Sequence, residues 1–246
     1  MKTDAILKTT DLSGGYAKDE QVLKDINLEV ARKEVVGVIG KNGSGKSTLG
    51  KALMNLIPIR GGQILFNGED VTTWTTDSLA RAGIALMLQG GTVFPGLTVR
   101  QNLDLAWGGQ PDKDYQAFLK QVIPILQNQS WSLMHRNAEK LSGGERHELA
   151  LAMALAHNPT LLILDEPSAG LSPKKVDELF LVLEKVRNWK NNKMAILLIE
   201  QNFARASAFC DRCVVVKDGT IQKEFSKKDL GLLVEAGHVT NLFQLL

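Results

Sequence analysis

The sequence predicts an α/β protein with a mostly parallel sheet, an N-terminal antiparallel β-subdomain and an inserted helical subdomain. Two wholly apolar strand-like segments, residues 161–164 and 194–199, lie between stretches of helical periodicity. This pattern is typical of a parallel sheet that is buried on both faces. The N-terminal part instead alternates short strand-like segments with turns, and residues 90–140 carry helical patterns between loops rich in Gly, Pro, Asn and Gln.

The elements follow from apolar periodicity and turn signals in chain order. The predicted strands are residues 5–10, 22–30, 34–39, 63–66, 84–88, 161–164 and 194–199, with a turn around Ser13-Gly14-Gly15 and another at Asn67-Gly68. The predicted helices are residues 48–57, 99–106, 115–127, 147–156, 174–186 and 203–209. Residues 214–225 form a predicted hairpin that turns at Asp218-Gly219.

Length and composition indicate one globular domain over residues 1–246, with the helical subdomain inserted at about 90–140. Of the 246 residues, 44% are hydrophobic and 23% are charged, so the chain can bury a core. The formal net charge of +2, from 29 basic and 27 acidic residues, gives no reason to expect a nucleic-acid partner.

The sequence carries no targeting or membrane-spanning signal. Its apolar runs are shorter than the roughly 18 residues that a bilayer requires, and residues 1–4 lack a signal-peptide pattern. We therefore expect a cytoplasmic protein. Cys210 and Cys213 form a Cys-Asp-Arg-Cys segment, which is either a redox motif or two small apolar residues between a helix and a strand. A reducing cytoplasm favours the second interpretation.

A phosphate-binding loop follows the strand at residues 34–39. It consists of Gly40, Lys41, Asn42, Gly43, Ser44, Gly45, Lys46 and Ser47, and Thr48 continues into the predicted helix. Glycines at this spacing let backbone N–H groups turn inward towards phosphate oxygens, and the helix N-terminus adds partial positive charge. Lys46 would reach the outer phosphates of ATP, and Ser47 would bind Mg²⁺. The alternative is a glycine-rich turn with a chance lysine. The loop indicates a P-loop NTPase core.

Two carboxylates stand at the end of the apolar strand at residues 161–164. Asp165 and Glu166 would lie at the carboxyl edge of the sheet, where open α/β sheets bind ligands. We expect Asp165 to hold the Mg²⁺ shell together with Ser47. Glu166 is then the predicted general base for the attacking water.

A second anion-binding turn lies just before that strand, at Leu141-Ser142-Gly143-Gly144-Glu145. Ser142 and Glu145 form a capping box at a helix start, and the two glycines leave its N–H groups open. An ordinary helix cap is the alternative interpretation. The sequence matches the signature of ABC (ATP-binding cassette) ATPases, and the chain resembles this family over nearly its whole length. In the family, this turn binds the nucleotide held by the opposite subunit of a head-to-tail dimer.

The resemblance implies further site residues. Tyr16 occupies the position of the aromatic residue that stacks on adenine, Gln89 that of the glutamine that contacts Mg²⁺ and water, and Gln201 that of the switch residue. The alternatives are a tyrosine packed on the sheet, a surface glutamine and a helix-capping glutamine. Residues 168–172 occupy the D-loop.

Two positions depart from the commonest pattern of the family, since Gln201 replaces a histidine and Ser172 an aspartate. Together with Val93-Phe94-Pro95, these residues are similar to the shorter cassette of branched-chain amino acid uptake systems and to urea and amide importers. Arg146-His147-Glu148 and Met153 replace the Gln-rich and Arg residues that usually follow the signature.

The resemblance implies an ATPase that powers an importer, with ATP and Mg²⁺ as its ligands. Its partners would be a second cassette, identical or homologous, integral-membrane permease subunits and, indirectly, an external solute-binding protein. The chain would then lie on the inner face of the membrane. The alternatives are a soluble ABC ATPase acting on nucleic acid or the ribosome, and a weakly active regulatory cassette.

Overall fold

The computed structural model describes residues 4–17, 20–108, 113–127, 130–189 and 194–235. Residues 1–3, part of the segment without a signal-peptide pattern, lie outside this range. The strands are β1 (Ala5–Gly14), β2 (Leu23–Ala31), β3 (Val35–Ile39), β4 (Ile59–Phe66), β5 (Glu69–Asp70), β6 (Ile84–Met87), β7 (Leu161–Asp165), β8 (Ala195–Glu200), β9 (Arg212–Lys217) and β10 (Thr220–Ser226). The helices are α1 (Lys46–Leu53), α2 (Thr76–Ala82), α3 (Val99–Ala106), α4 (Lys113–Val122), α5 (Pro124–Gln127), α6 (Trp131–Met134), α7 (Gly143–Ala154), α8 (Pro173–Arg187), α9 (Phe203–Phe209) and α10 (Lys227–Glu235). A 3-10 turn spans Ala138–Lys140.

Two sheets form the framework. The first is antiparallel, in the order β2-β1-β4-β5. The second has the order β10-β9-β3-β8-β7-β6, in which the five strands from β9 to β6 are parallel and β10 joins β9 as an antiparallel edge. Helices α3 to α6 lie in the chain between β6 and α7. The predicted fold class is confirmed.

The strands of the second sheet are buried on both faces because their side chains alternate between two apolar clusters. In β7, Leu162 and Leu164 pack with helices α3 to α9, whereas Leu161 and Ile163 pack towards α1 and the antiparallel sheet. The same alternation holds in β3 and β8. The sheet is therefore the centre of the structure, and its strand ends have fixed positions.

Three predicted elements were wrong in extent. Ser13 and Gly14 lie in β1 rather than in a turn, because Gly14 still pairs with both β2 and β4. The helix predicted over residues 48–57 ends at Leu53, and Asn55 adopts a left-handed φ of 51°. The helix predicted over residues 115–127 is divided into α4 and α5 at Pro124, whose ring removes a backbone donor.

Other predictions are confirmed, with shifts of up to four residues at the boundaries, as in β4, which begins at Ile59 rather than at residue 63. The β9–β10 hairpin turns at Asp218 and Gly219, both of which have positive φ, as type I′ turns require. Helix α9 ends at Phe209 and is followed by Cys210, and Cys213 is the second residue of β9; both cysteines are free, buried thiols. The pair therefore lies where a helix is followed by a strand, as the small-residue interpretation predicts. Helices α2, α6 and α10 and the short strand β5 were not predicted.

Candidate active site

The carboxyl ends of four parallel strands meet at one edge of the second sheet. Ile39 of β3 pairs with Glu200 of β8, and Asp165 of β7 pairs with Ile199 of β8. Met87 of β6 is in register with Leu164. The loops that follow these strands therefore begin side by side, and they carry the predicted P-loop, the two carboxylates, Gln89 and Gln201.

The P-loop curls tightly between β3 and α1. Gly43 and Gly45 have φ values of 80° and 103°, in the left-handed region that favours glycine. The Ser44 N–H donates to the Lys41 carbonyl at 3.2 Å. A Cβ on Gly40 would lie 2.3 Å from the Val216 carbonyl oxygen, so only glycine fits there. Helix α1 begins at Lys46, with its N-terminus directed by this loop.

Lys46 lies against the loop, with only 4% of its surface exposed. Its Nζ donates to the Lys41 carbonyl at 2.9 Å. Burial lowers the pKa of Lys46, whereas the nearby carboxylates of Glu166, Asp165 and Glu200 raise it. An ammonium held beside a phosphate-binding loop is suited to contact a polyphosphate.

Ser47 and Asp165 form the expected pair, since the Ser47 hydroxyl donates to Asp165 Oδ1 at 2.8 Å. Asp165 is only 3% exposed, and this burial raises its pKa, as does the charge of Glu166, whereas the Ser47 hydrogen bond lowers it. A hydroxyl and a carboxylate oxygen in contact are the hard oxygen ligands that Mg²⁺ prefers. The residues present therefore fit a magnesium ion.

Glu166 is held in an unusual backbone conformation immediately after β7. Its φ is 46°, a left-handed value that costs a residue with a Cβ about 1–2 kcal/mol. Its N–H donates to the Ile199 carbonyl at 2.9 Å. Its side chain accepts a hydrogen bond from Gln89 Nε2 at 2.7 Å. The strain is characteristic of a functional position, and the structure brings the predicted base and Gln89 together.

A cleft of about 440 Å³ contains most of these groups. It is lined by Glu20, Val22, Asn42, Gly43, Gly45, Lys46, Ser47, Thr48, Gln89 and Glu166. Tyr16 stands beside α1, where its hydroxyl lies 3.4 Å from Thr48 Oγ1 and 3.3 Å from Lys51 Nζ. Tyr16 is 49% exposed and has Lys51 over its ring, so its packing leaves much of the side chain open. Adenine stacking stays a prediction.

The signature turn forms the predicted capping box at the start of α7. Ser142 N–H donates to Glu145 Oε2 at 2.8 Å, and Glu145 N–H donates to Ser142 Oγ at 3.3 Å. A Cβ on Gly143 would meet no atom within 4 Å, whereas one on Gly144 would lie 3.5 Å from the Lys175 side chain. Burial raises the pKa of Glu145, but hydrogen bonds from Ser142 and the charges of Arg136 and Lys175 together make the net shift downward. The described residues that line the cleft include none from this turn.

Gln201 follows β8 and is exposed. The suggestion that it caps α9 is wrong, because Asn202 is the N-cap and its side chain accepts the Arg205 N–H at 3.2 Å. Contact between Gln201 and phosphate stays a prediction. Sequence reasoning missed the neighbouring Glu200, a buried carboxylate at the end of an apolar strand, although the same pattern had identified Asp165.

Comparison with known proteins decides the family. Residues 23–169 match the family described as ABC transporter, and this range is more than half of the chain. The chain belongs to the ABC transporter family. It is an ATPase of this family, as the homologous cassettes are.

Two similar ABC relatives are named as branched-chain amino acid transport proteins. The probable ATP-binding protein LivF of Archaeoglobus fulgidus is 36% identical over 88% of this chain and 90% of the relative. The high-affinity ATP-binding protein BraG of Pseudomonas aeruginosa is 35% identical over 82% of this chain and 84% of the relative. The lipopolysaccharide export ATP-binding protein LptB of Haemophilus influenzae is 31% identical over 88% and 89%.

Solved structures of ABC cassettes share the fold. The cbiO1 protein from Clostridium perfringens, part of the ABC transporter complex cbiONQ, has a TM-score of 0.78 and 26% identity over 97% of this chain and 95% of that chain. A dimeric cassette in a post-hydrolysis state, bound to ADP and Pi, has a TM-score of 0.76 and 22% identity over 90% and 98%. Among the described residues of this chain, no helix is long and apolar enough to cross a bilayer.

Proposed function

We propose that this ABC ATPase powers an importer for branched-chain amino acids or a related small polar solute. The observation that carries the ATPase part is the convergence of the P-loop, Asp165, Glu166 and Gln89 at one sheet edge. The similarity to LivF and BraG over more than four fifths of the chain supports the solute class. The intact Lys46 and the two carboxylates favour an active cassette over a regulatory one.

The residues in and beside the cleft have separate roles in ATP hydrolysis. The P-loop N–H groups and Lys46 hold the phosphates, and Tyr16 stacks on adenine. Ser47, Asp165 and the Gln89 amide would hold Mg²⁺, which would neutralise charge on the phosphates. Glu166 accepts a proton from the attacking water. Its contact with Gln89 keeps the carboxylate directed towards the cleft.

The signature turn suits a second nucleotide. The space beside Gly143 is open, since a Cβ there would meet no atom within 4 Å, yet none of the residues of the turn lines the cleft that contains Lys46. An anion-binding turn outside the chain's own cleft fits the nucleotide of another subunit. We therefore place this chain in a head-to-tail pair with an identical or homologous cassette, so that each ATP lies between a P-loop and a signature.

The helical subdomain, at about residues 90–140 of a single 1–246 domain, would transmit this closure to membrane-spanning permease subunits. Its first loop follows Gln89 and exposes Phe94 and Pro95, whereas Val93 is partly buried against the core. Asn102, fully buried, fixes the loop by accepting the Phe94 N–H at 2.8 Å and donating to the Phe94 and Thr98 carbonyls. An exposed aromatic side chain on a fixed loop is suited to docking.

In this arrangement the chain lies at the cytoplasmic face of the membrane and meets an external solute-binding protein only through the permease. The similarity to LptB supports a second candidate, an export ATPase. The two functions predict different phenotypes. Deletion of the gene in its host should abolish uptake of radiolabelled leucine if the importer proposal is right, and the parent gene should restore it. Normal leucine uptake together with defective envelope export would instead support the exporter.

The docking loop can be tested with a matched pair of variants. Phe94→Asp should reduce solute uptake and co-purification of the permease subunits while leaving basal ATP hydrolysis intact. Leu181→Asp is the control, since Leu181 on α8 is similarly exposed, at 61% against 53% for Phe94. Equal uptake by the two variants would contradict docking at Phe94.

A further inference from the structure

Glu200 is a third carboxylate at the nucleotide edge of the sheet, in addition to Asp165 and Glu166. It is the last residue of β8 and lies between β3 and β7. Its partner in β3 is Ile39, the residue that precedes the P-loop. Only 3% of its surface is exposed. The ATPase mechanism described above gives this side chain no role.

The carboxylate of Glu200 contacts the backbone of two different loops. Glu200 Oε1 accepts the Ser168 N–H at 3.3 Å. Burial raises the pKa of Glu200, whereas hydrogen bonds from the Ser168 side chain and from the backbone of Ser168 and Asn202 lower it. Ser168 lies two residues after Glu166, and Asn202 immediately follows Gln201. The side chain therefore joins the loop of the predicted base to the loop of the predicted sensor.

Burial of such a carboxylate costs desolvation free energy, which its hydrogen bonds must offset. Removing a charged group from water costs several kcal/mol before its partners compensate. The five preceding residues of β8 are equally buried, and all of them are apolar (Ala-Ile-Leu-Leu-Ile). An apolar residue at position 200 would avoid the desolvation cost and would leave the Ser168 N–H without this partner.

We propose that Glu200 is a positioning residue for ATP hydrolysis. Its carboxylate holds the backbone at Ser168 and Asn202, and this fixes the positions of Glu166 and Gln201 relative to each other. The proposal rests on the nucleotide site proposed above. It makes Glu200 distinct from Asp165, which faces the metal ligand Ser47.

Kinetics of two substitutions test the role. Glu200→Ala removes both acceptor oxygens and should lower kcat by about ten- to a hundred-fold, which corresponds to one hydrogen bond to a charged group lost in the transition state. The KM for ATP should change little, because the P-loop is untouched. Glu200→Gln keeps one acceptor oxygen and should be at least about tenfold faster than Glu200→Ala. Thr9→Val is the control, since Thr9 Oγ1 is a buried acceptor for the Leu28 N–H and Thr9 does not line the cleft.

Hydrogen exchange tests directly whether Glu200 joins the loops at Ser168 and Asn202. In Glu200→Ala, the amides of Ser168 and Asn202 should lose protection together, whereas the Ala206 amide in α9 keeps its bond to the Asn202 carbonyl. Parent-like turnover in Glu200→Ala, equal losses in the alanine and glutamine variants, or deprotection of one loop only would each overturn the proposal. If the parent chain hydrolysed no ATP, the proposed function would fail. The exchange measurement on Glu200→Gln and Glu200→Ala would still show whether Glu200 joins the two loops.

Discussion

Replacement of Glu166 by glutamine removes the carboxylate that accepts a proton and keeps the size and hydrogen-bonding geometry of the side chain. Glutamine has the same shape, and its amide oxygen can still accept the hydrogen bond that Gln89 Nε2 donates at 2.7 Å. The backbone bond from residue 166 to the Ile199 carbonyl is also retained. The variant therefore keeps the geometry of the cleft and loses the base.

The expected loss in turnover is that of a general base, about 10²- to 10⁴-fold. Nucleotide affinity should be retained or increased, for two reasons. The P-loop and Lys46 are unchanged, and one negative charge beside the phosphates disappears. The charge of Glu166 also raises the pKa of Asp165, so its removal favours the ionised Asp165 that binds Mg²⁺.

Single-turnover hydrolysis and equilibrium binding of a fluorescent ATP analogue measure the two effects separately. Glu69→Gln is a suitable control, because Glu69 is an exposed carboxylate on β5 of the antiparallel sheet. Gln89→Ala removes the donor to Glu166 together with the amide proposed to hold Mg²⁺, so it measures the combined contribution of the Gln89 side chain. Steady hydrolysis near the parent rate in Glu166→Gln would refute the assignment of Glu166 as the base.

Four further predictions follow from the same geometry. Lys46→Ala should weaken ATP binding at least about tenfold, since it removes a charge-assisted contact. Unchanged affinity in a binding titration would contradict the assignment of Lys46 to the phosphates of ATP. Gln201→Ala should slow hydrolysis about ten- to a hundred-fold at an unchanged melting temperature, whereas Gln201→His should retain much of the rate and add a pH dependence between about 6 and 7.5. Gly91→Ala should lower stability by about 1–2 kcal/mol in a denaturant titration, because φ is 68° and a Cβ would lie 3.2 Å from the His147 Cα. Burial raises the pKa of Glu200, so ionisation of this carboxyl opposes folding at pH values above the ordinary glutamate range. Glu200→Gln should therefore raise the melting temperature at pH 8. This gain should shrink as the pH falls below 4, where Glu200 is protonated in both the folded and the unfolded chain.

The sequence was sufficient to predict the elements whose signals are local. The capping box at Ser142 and Glu145 depends on residues three positions apart, and the structure contains both of its hydrogen bonds. The apolar strands at residues 161–164 and 194–199 were equally evident, because burial on both faces leaves no polar positions. These signals give the order of strands and loops that delivers the P-loop and Asp165 to one edge.

Other features depend on contacts between distant segments. Gly14 continues β1 because β2 and β4 both pair with it, which no turn propensity at Ser13-Gly14-Gly15 could indicate. Glu200 was overlooked because its importance arises from the Ser168 and Asn202 backbone groups around it. Identification of such a residue requires the register of β7 beside β8, which only the folded structure supplies.

The loops that follow β6, β7 and β8 are joined to one another by hydrogen bonds rather than by packing alone. Gln89 donates to Glu166, the Glu166 N–H donates to the Ile199 carbonyl, and Glu200 accepts from Ser168. The first of these loops also reaches the signature helix, where Gly91 lies against the backbone of α7. If the proposed function is right, we expect a change in hydrogen bonding at Glu166 to act on both the segment that leads into the helical subdomain and α7. This connection would then link the state of the nucleotide to the exposed loop at Phe94.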